Sequence, residues 1–290
     1  MSMAEWLWLP FTEFGFMQRA LAACLALSLS APLVGVFLML RRMSLMGDAM
    51  AHGILPGAAI AYLLSGLSLS AMTVGGMAAG MLIAVASGLV ARSTSSREDS
   101  SLAAFYLISL SLGVLLISTR GSSVDLLHVL FGSVLALNHE AVVLLGVITS
   151  LTLLGMGLMY RVLVLECLDP QFLRAVSRLS PVAHYGFLML LVINLVAGFH
   201  ALGTLLSVGM MVLPAAAARF WTREITQLIL VAMLIAFVGS VGGLLLSYHA
   251  ELPTGPSMVL TIGAIYLFSL VAGPQGMLRP YLPSPYHYKE

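Results

Sequence analysis

From Gly53 to Ala91 the chain runs 39 residues without an Asp, Glu, Lys or Arg. No water-soluble surface looks like this, since about 25% of residues in soluble domains are charged. The run is long enough for two membrane-crossing helices, each of which needs roughly 20 apolar residues. Leu179–Ala218 has the same character, and Ala20–Leu40, Ser100–Thr119, Ala141–Tyr160, Ile225–Ala250 and Leu252–Leu278 are also charge-free. Of the 290 residues only 9% are charged and 60% are hydrophobic, and the mean hydropathy is +1.03. The sequence thus predicts an all-α polytopic membrane protein with about 8–9 transmembrane helices. It reads as a single integral-membrane domain over residues 1–290. Spans are expected near 14–40, 51–66, 70–91, 101–118, 140–163, 183–199, 203–219, 225–247 and 257–272. Trp6 and Trp8 read as interface anchors. Cys24 and Cys167 are far apart and are not expected to pair.

With the N-terminus outside, the inner loops hold Arg41, Arg42, Arg92, Arg97, Arg161, Arg174, Arg178, Arg219, Arg223, Arg279 and Lys289. Of the 13 basic residues only Arg19 and Arg120 fall elsewhere. Basic residues concentrate on the cytoplasmic side of membrane proteins, so the expected orientation is N-out/C-in. A net charge of +1 leaves no electrostatic footprint for nucleic acid.

Two segments do not read as plain spans. On the outer side, 120–139 is apolar but short, with Gly132 in its middle, and is expected to be re-entrant or interfacial. On the inner side, "LDPQFLRAVSRLS" offers Asp169 as an N-cap and Pro170 at the first helical position. A short amphipathic helix over about 169–178 follows, with Phe172, Leu173 and Val176 on one face and Arg174 and Arg178 on another. It is either an ordinary interfacial helix or a docking element for a cytosolic partner.

Charged and titratable groups at membrane depth are costly and mark function by default. Arg19, His128, His139, Glu140, His184, His200, His249 and Glu251 sit within or beside spans; each histidine alone reads as an interfacial residue, and His128, His139 and His249, on the outer side, could alternatively hand a metal along. Asp48 and His52 differ, because at i and i+4 they share a helix face about 6 Å apart. A carboxylate oxygen and an imidazole nitrogen suit a divalent transition metal. Gly47, Gly53, Pro56 and Gly57 around them permit a helix break and close backbone approach, as where backbone lines a cavity. The alternative is a buried hydrogen-bonded pair that ties helices together. With Lys289 as its single lysine the chain has no G-x-x-x-x-G-K-[ST] loop, and it has no H-E-x-x-H either. ATP hydrolysis and zincin chemistry are therefore not expected of it.

Taken together, "RRMSLMGDAMAHGILPGAAIAY" (41–62), "SSVDLLHVLFGSVLAL" (122–137), "LGTLLSVGMMVLPAAAARF" (202–220) and "LPTGPSMVL" (252–260) resemble the metal-ion ABC importer permeases of the ABC-3 class. The resemblance runs in order from about residue 17 to 272. It implies a permease of the bacterial cytoplasmic (inner) membrane, working with two copies of a cytosolic ABC ATPase and an extracytoplasmic metal-binding protein. It further implies that Asp48 and His52 belong to the metal path, and that Asp169, Pro170, Phe172 and Arg174 belong to the helix that couples to the ATPase. Gln171 and Ser177 depart from the family's acidic residue and glycine in that helix. If two copies form a homodimer, two Asp48 and two His52 supply four ligands. No cofactor is expected. The transported ion is expected to be zinc, with manganese or iron as alternatives, although the histidine that some zinc members carry has no counterpart in "AAFYLISLSLG". A proton-coupled secondary transporter is the competing reading, and would run without an ATPase.

The orientation is directly measurable. A cysteine introduced at Ser95 is expected to react with a membrane-impermeant thiol reagent only from the cytosol, and one at Ser122 only from outside. Labelling of Ser122→Cys from the cytosol would invert the topology.

Overall fold

The computed structural model describes residues 3–66, 68–93, 98–119, 137–169, 172–173, 177 and 179–277. Eleven helices and no strand occur among them: α1 Met3–Glu13, α2 Gly15–Leu40, α3 Met46–Gly53, α4 Leu55–Ser65, α5 Leu69–Ser93, α6 Glu98–Thr119, α7 His139–Leu168, α8 Leu179–Leu202, α9 Thr204–Ala218, α10 Ile225–Ala250 and α11 Thr254–Ala272. Hydrocarbon offers no partner to a free amide, so such a chain satisfies its backbone within helices. Six of them are long and apolar enough to cross a membrane: α2, α5, α7, α8, α10 and α11. Shorter apolar helices lie within α6 and α9, at Ser100–Gly113 and Thr204–Ala218. Each expected span coincides with one or two of these helices.

The core is α2, which packs on α7, α8, α9 and α10. Every residue from Ser30 to Leu38 is buried, so the helix is enclosed on all sides. Gly35 lies against the backbone of α9, where an added Cβ would collide with the Met211 carbonyl. A second group is formed by α4, α5 and α6. Here Gly57 and Gly75 face each other, and a Cβ on either would strike the other's carbonyl oxygen. Small residues at such crossings let helices gain close packing where no hydrophobic drive separates protein from lipid. The two groups meet where Gly76 and Gly80 of α5 approach Val196 and Val192 of α8.

Two departures from the sequence reading have physical causes. The expected span at 51–66 begins earlier, at Met46, and is broken at Ile54 into α3 and α4. Pro56 sits in the first turn of α4, and with no N–H it cannot bond the His52 carbonyl. The segment carrying Trp6 and Trp8 is itself a helix, α1, with Pro10 inside it and Trp8 exposed. The separate spans expected at 183–199 and 203–219 are α8 and α9, split at Gly203, whose φ of 87° lies in the region that favours glycine.

At the start of α7, Asn138 Oδ1 accepts from the Ala141 N–H at 2.8 Å, a side-chain N-cap. Arg19 Nε donates to the Leu137 carbonyl at 2.8 Å and ties this point to α2. Residues 120–136 of the expected outer re-entrant segment lie outside the described residues. Both cysteines are free thiols, as expected.

The α2–α9 contact predicts a contrast between two glycines. Gly35→Ala should destabilise the detergent-solubilised protein by about 3 kcal/mol, because the new methyl meets rigid backbone. Gly157→Ala, which meets nothing within 4 Å in the middle of α7, should be neutral or slightly stabilising. Thermal melting of the two variants measures this, and equal melting temperatures would contradict the packing described.

Candidate metal path

The eight residues of α3, "MGDAMAHG", are sharply two-sided. Met46, Gly47, Met50, Ala51 and Gly53 are buried. A Cβ on Gly47 would meet Met211 Sδ at 3.7 Å and Leu38 at 3.8 Å, which places that end of α3 against α9 and α2. A Cβ on Gly53 would meet Ile83 of α5 and Tyr106 of α6, and Ser109 Oγ donates to the Gly53 carbonyl at 2.9 Å. One face of α3 is therefore fixed by four other helices.

The opposite face carries Asp48 and His52. His52 Nε2 lies 3.8 Å from Asp48 Oδ1, and the side chains are 36% and 65% exposed. This is too long for a hydrogen bond. The reading of a buried, mutually bonded tie between helices therefore fails on both distance and burial. What the fold presents is a carboxylate and an imidazole side by side on an anchored helix, aimed away from the chain's own core. Two donors on a single chain hold a divalent ion loosely. No group of three or more His, Cys, Asp or Glu that could hold a metal occurs among the described residues.

A cavity of about 360 Å³ opens beside Asp48, between the α2–α3 turn and α6, with Arg42, Ser44 and Tyr106 in its wall. Arg42 is exposed and has a φ of 59°, left-handed backbone that turns the chain from α2 into α3. A larger apolar groove of about 970 Å³ lies along α4, α5 and α6 and includes Pro56 and Gly57. Of the three residues expected to break or line the path, Gly47 is a packing contact, Pro56 opens α4, and Gly57 is the crossing point with α5.

At the end of α7, Asp169 Oδ1 accepts from the Phe172 N–H at 2.9 Å, the bond expected of an N-cap. Phe172 is exposed while Leu173 is buried, so these two apolar residues do not share a face as the sequence reading had it. Adjacent helical positions point about 100° apart, and packing has taken Leu173 inward. Pro170 and Arg174 lie outside the described residues. Of the other titratable candidates, His139 and Glu140 are exposed at the start of α7 and Glu251 is exposed beyond the end of α10. His184 is buried in α8 with Nδ1 3.4 Å from Arg41 Nη1. His128 lies outside the described residues. One charged group escaped the sequence reading: Glu166, buried at the end of α7, accepts from Ser180 Oγ at 3.1 Å. Its signal was present, as an acid closing an apolar run beside Arg161 and Asp169.

With this geometry in hand, comparison with known proteins is informative. The ABC 3 transport family matches residues 13–273. The chain is 32% identical over 272 residues to the manganese transport system membrane protein MntC of Halalkalibacterium halodurans, covering 93% of this chain and 91% of that protein. It is 30% identical over 269 residues to a probable iron transport system membrane protein of Haemophilus influenzae, covering 92% and 97%. Among solved structures, PsaBC from Streptococcus pneumoniae in complex with Fab superposes with a TM-score of 0.83 at 29% identity, covering 97% of this chain and 100% of that one. The resemblance read from four motifs thus extends over nearly the whole chain, to multi-pass membrane proteins with a transport role. This chain belongs to the ABC-3 transport family.

Proposed function

We propose that this chain is the permease subunit of an ATP-binding-cassette importer for a divalent transition-metal ion, and that the ion is manganese. The observation that carries the reading is the exposed Asp48–His52 face of α3, within a chain matched to the family over residues 13–273. Oxygen and imidazole donors suit manganese as well as they suit zinc. The printed names of relatives favour manganese or iron over the zinc expected from sequence. The permease works as a homodimer in the bacterial inner membrane, N-out and C-in, with about nine helical passes. Pairing about a twofold axis brings a second Asp48 and His52 to the first and completes a four-ligand set. An extracytoplasmic metal-binding protein delivers the ion, and two cytosolic ATPases power its passage. Exposed Phe172, on a turn capped by Asp169, is the apolar knob that seats in each ATPase.

Mutation of the donor pair separates this reading from a scaffolding role. In proteoliposomes with the cognate ATPase, Asp48→Asn and His52→Ala should each cut manganese uptake at least tenfold. Asp48→Asn should be the more severe, because the carboxylate both ligates the cation and offsets its charge in a low-dielectric setting. Asp48 is largely exposed and His52 is half-buried, so stability should change by no more than about 0.5 kcal/mol for Asp48→Asn and about 1 kcal/mol for His52→Ala. Near-normal uptake in the Asp48→Leu/His52→Leu double variant, per folded complex, would remove the site assignment. Competition with zinc and iron in the same assay fixes the ion.

Coupling has its own test. The purified chain alone should show no ATP hydrolysis, and addition of the cognate ATPase should give hydrolysis that rises with the transported ion. Phe172→Ala should abolish that stimulation while leaving membrane insertion intact. Uptake driven by a proton gradient without any ATPase would instead support a secondary transporter.

A further inference from the structure

Where the C-terminal ends of α2 and α7 meet the start of α8, a buried cluster of charges is only half paired. Arg41, the C-cap of α2, places its guanidinium carbon 4.6 Å from the centre of the Phe187 ring and its Nη1 3.4 Å from His184 Nδ1. Its Nε and Nη2 are buried and have no hydrogen-bond partner. On α7, Glu166 is 6% exposed; Oε1 accepts from Ser180 Oγ at 3.1 Å, and Oε2 is buried without a partner. The neighbouring Cys167 thiol is near both, with Arg41 as a side-chain partner. A guanidinium and a carboxyl thus stand on packed helices beside one thiol, without closing an ion pair within 4.0 Å.

That arrangement is costly as it stands. A buried charge with unsatisfied hydrogen-bonding atoms carries most of its desolvation penalty and little of the compensating attraction. Ser180 and His184, which contact Glu166 and Arg41, stand four residues apart on one face of α8, and a change in the Arg41 rotamer with a small shift of α2 against α7 is the movement that would join Nε or Nη2 to Glu166 Oε2. Two discrete arrangements of one packed cluster are the material from which switching transitions are made. Its place in the chain adds to the case. Arg41 ends the helix that leads through Arg42 into α3 and Asp48, whereas Glu166 lies just before Asp169 and the 169–178 segment, which returns to α8 at Leu179 near Ser180.

We propose that Arg41 and Glu166 form a state-dependent ion pair, open in this conformation and closed in the alternate one, through which the C-terminal end of α7 moves α2 and the Asp48–His52 helix. The inference rests on the permease reading above. Both are positioning residues, since neither touches the ion. In the open state Arg41 is parked on His184 and Phe187; in the closed state it leaves them for Glu166, drawing the end of α2 toward α7.

The experiment uses the full chain with its ATPase in proteoliposomes, reading manganese uptake and ATP hydrolysis together. Arg41→Gln and Glu166→Gln should each lower the ions moved per ATP by roughly tenfold, within the range that coupled neighbours show, and the double variant should be no worse than either single. Arg41→Lys and Glu166→Asp keep the charges and should retain most of the ratio. A wild-type ratio in either glutamine variant, or a double variant whose loss is the product of the two singles, overturns the proposal. So does an Arg41→Lys as defective as Arg41→Gln. A second measurement needs no variant. Cys24 is fully buried and Cys167 is not, so Cys167 alone reports to a thiol-alkylating reagent. Arg41 leaving His184 and Phe187 for Glu166 rearranges the cover of this thiol, so its alkylation rate should change several-fold when the wild-type complex is trapped with ATP and vanadate. An unchanged rate overturns the proposal. Absence of uptake by the wild-type complex would instead count against the permease reading itself.

Discussion

A backbone that cannot leave an amide unpaired in hydrocarbon has few shapes open to it, and this one constraint organises the protein. It makes every described element a helix, and it leaves helix–helix packing to be decided by where backbones can touch. Gly35 against Met211 and Gly57 against Gly75 are such places. The enclosed stretch of α2 from Ser30 to Leu38 follows from the first, because a helix that meets its neighbours at backbone distance has no face left for lipid. The same constraint explains the break at Ile54. Pro56 removes one ladder bond, and the chain answers with two short helices whose ends find partners, Ser109 on the Gly53 carbonyl among them.

Asp48 and His52 draw their character from that break. A carboxylate on a long, evenly lipid-facing helix is costly. On α3 the cost is contained, because the Met46–Gly53 segment is locked by Met50, Ala51 and its glycines while its polar face stays open beside a cavity of about 360 Å³. The two donors share one rigid element, so their spacing is preset. In the proposed metal path the remaining ligands are the Asp48 and His52 of a second copy of the chain. A site assembled at an interface binds its ion only while the halves are aligned, which suits an ion that has to be released.

Much of this was legible in the sequence, for a stated reason. Charge-free runs of spanning length mark helices directly, and each expected span coincides with one or two helices because no competing structure survives in hydrocarbon. Asp48 and His52 were legible because their spacing matches the helical period and their chemistry stands out against apolar neighbours. What was hidden depends on three-dimensional packing. Phe172 and Leu173 are adjacent and equally apolar, and nothing local says which turns inward. The start of α3 at Met46 was masked by Arg41 and Arg42, which mark the inner end of the first span and left the residues up to 50 reading as a loop. The grouping of Arg41, Glu166, Cys167 and His184 joins residues more than a hundred positions apart, and no periodicity reports such a meeting.

The importance of α2 lies in its double duty. With α8 it is the most enclosed of the six spanning helices, and its C-terminal end is also the lead into α3, which carries Asp48 and His52. A close-packed interior transmits displacement, because its side chains have no slack to absorb it. A push on the far end of α7 or the start of α8 therefore reaches Asp48 by whatever holds the end of α2, and at that end the largest polar group is Arg41. A guanidinium held by a ring face, one long imidazole contact and a neighbouring thiol can be moved without breaking an ion pair, while the packed apolar length of α2 behind it moves as one body. In the proposed switch, stiffness along the helix and looseness at its end together let one chain keep a stable fold and still change the exposure of two side chains.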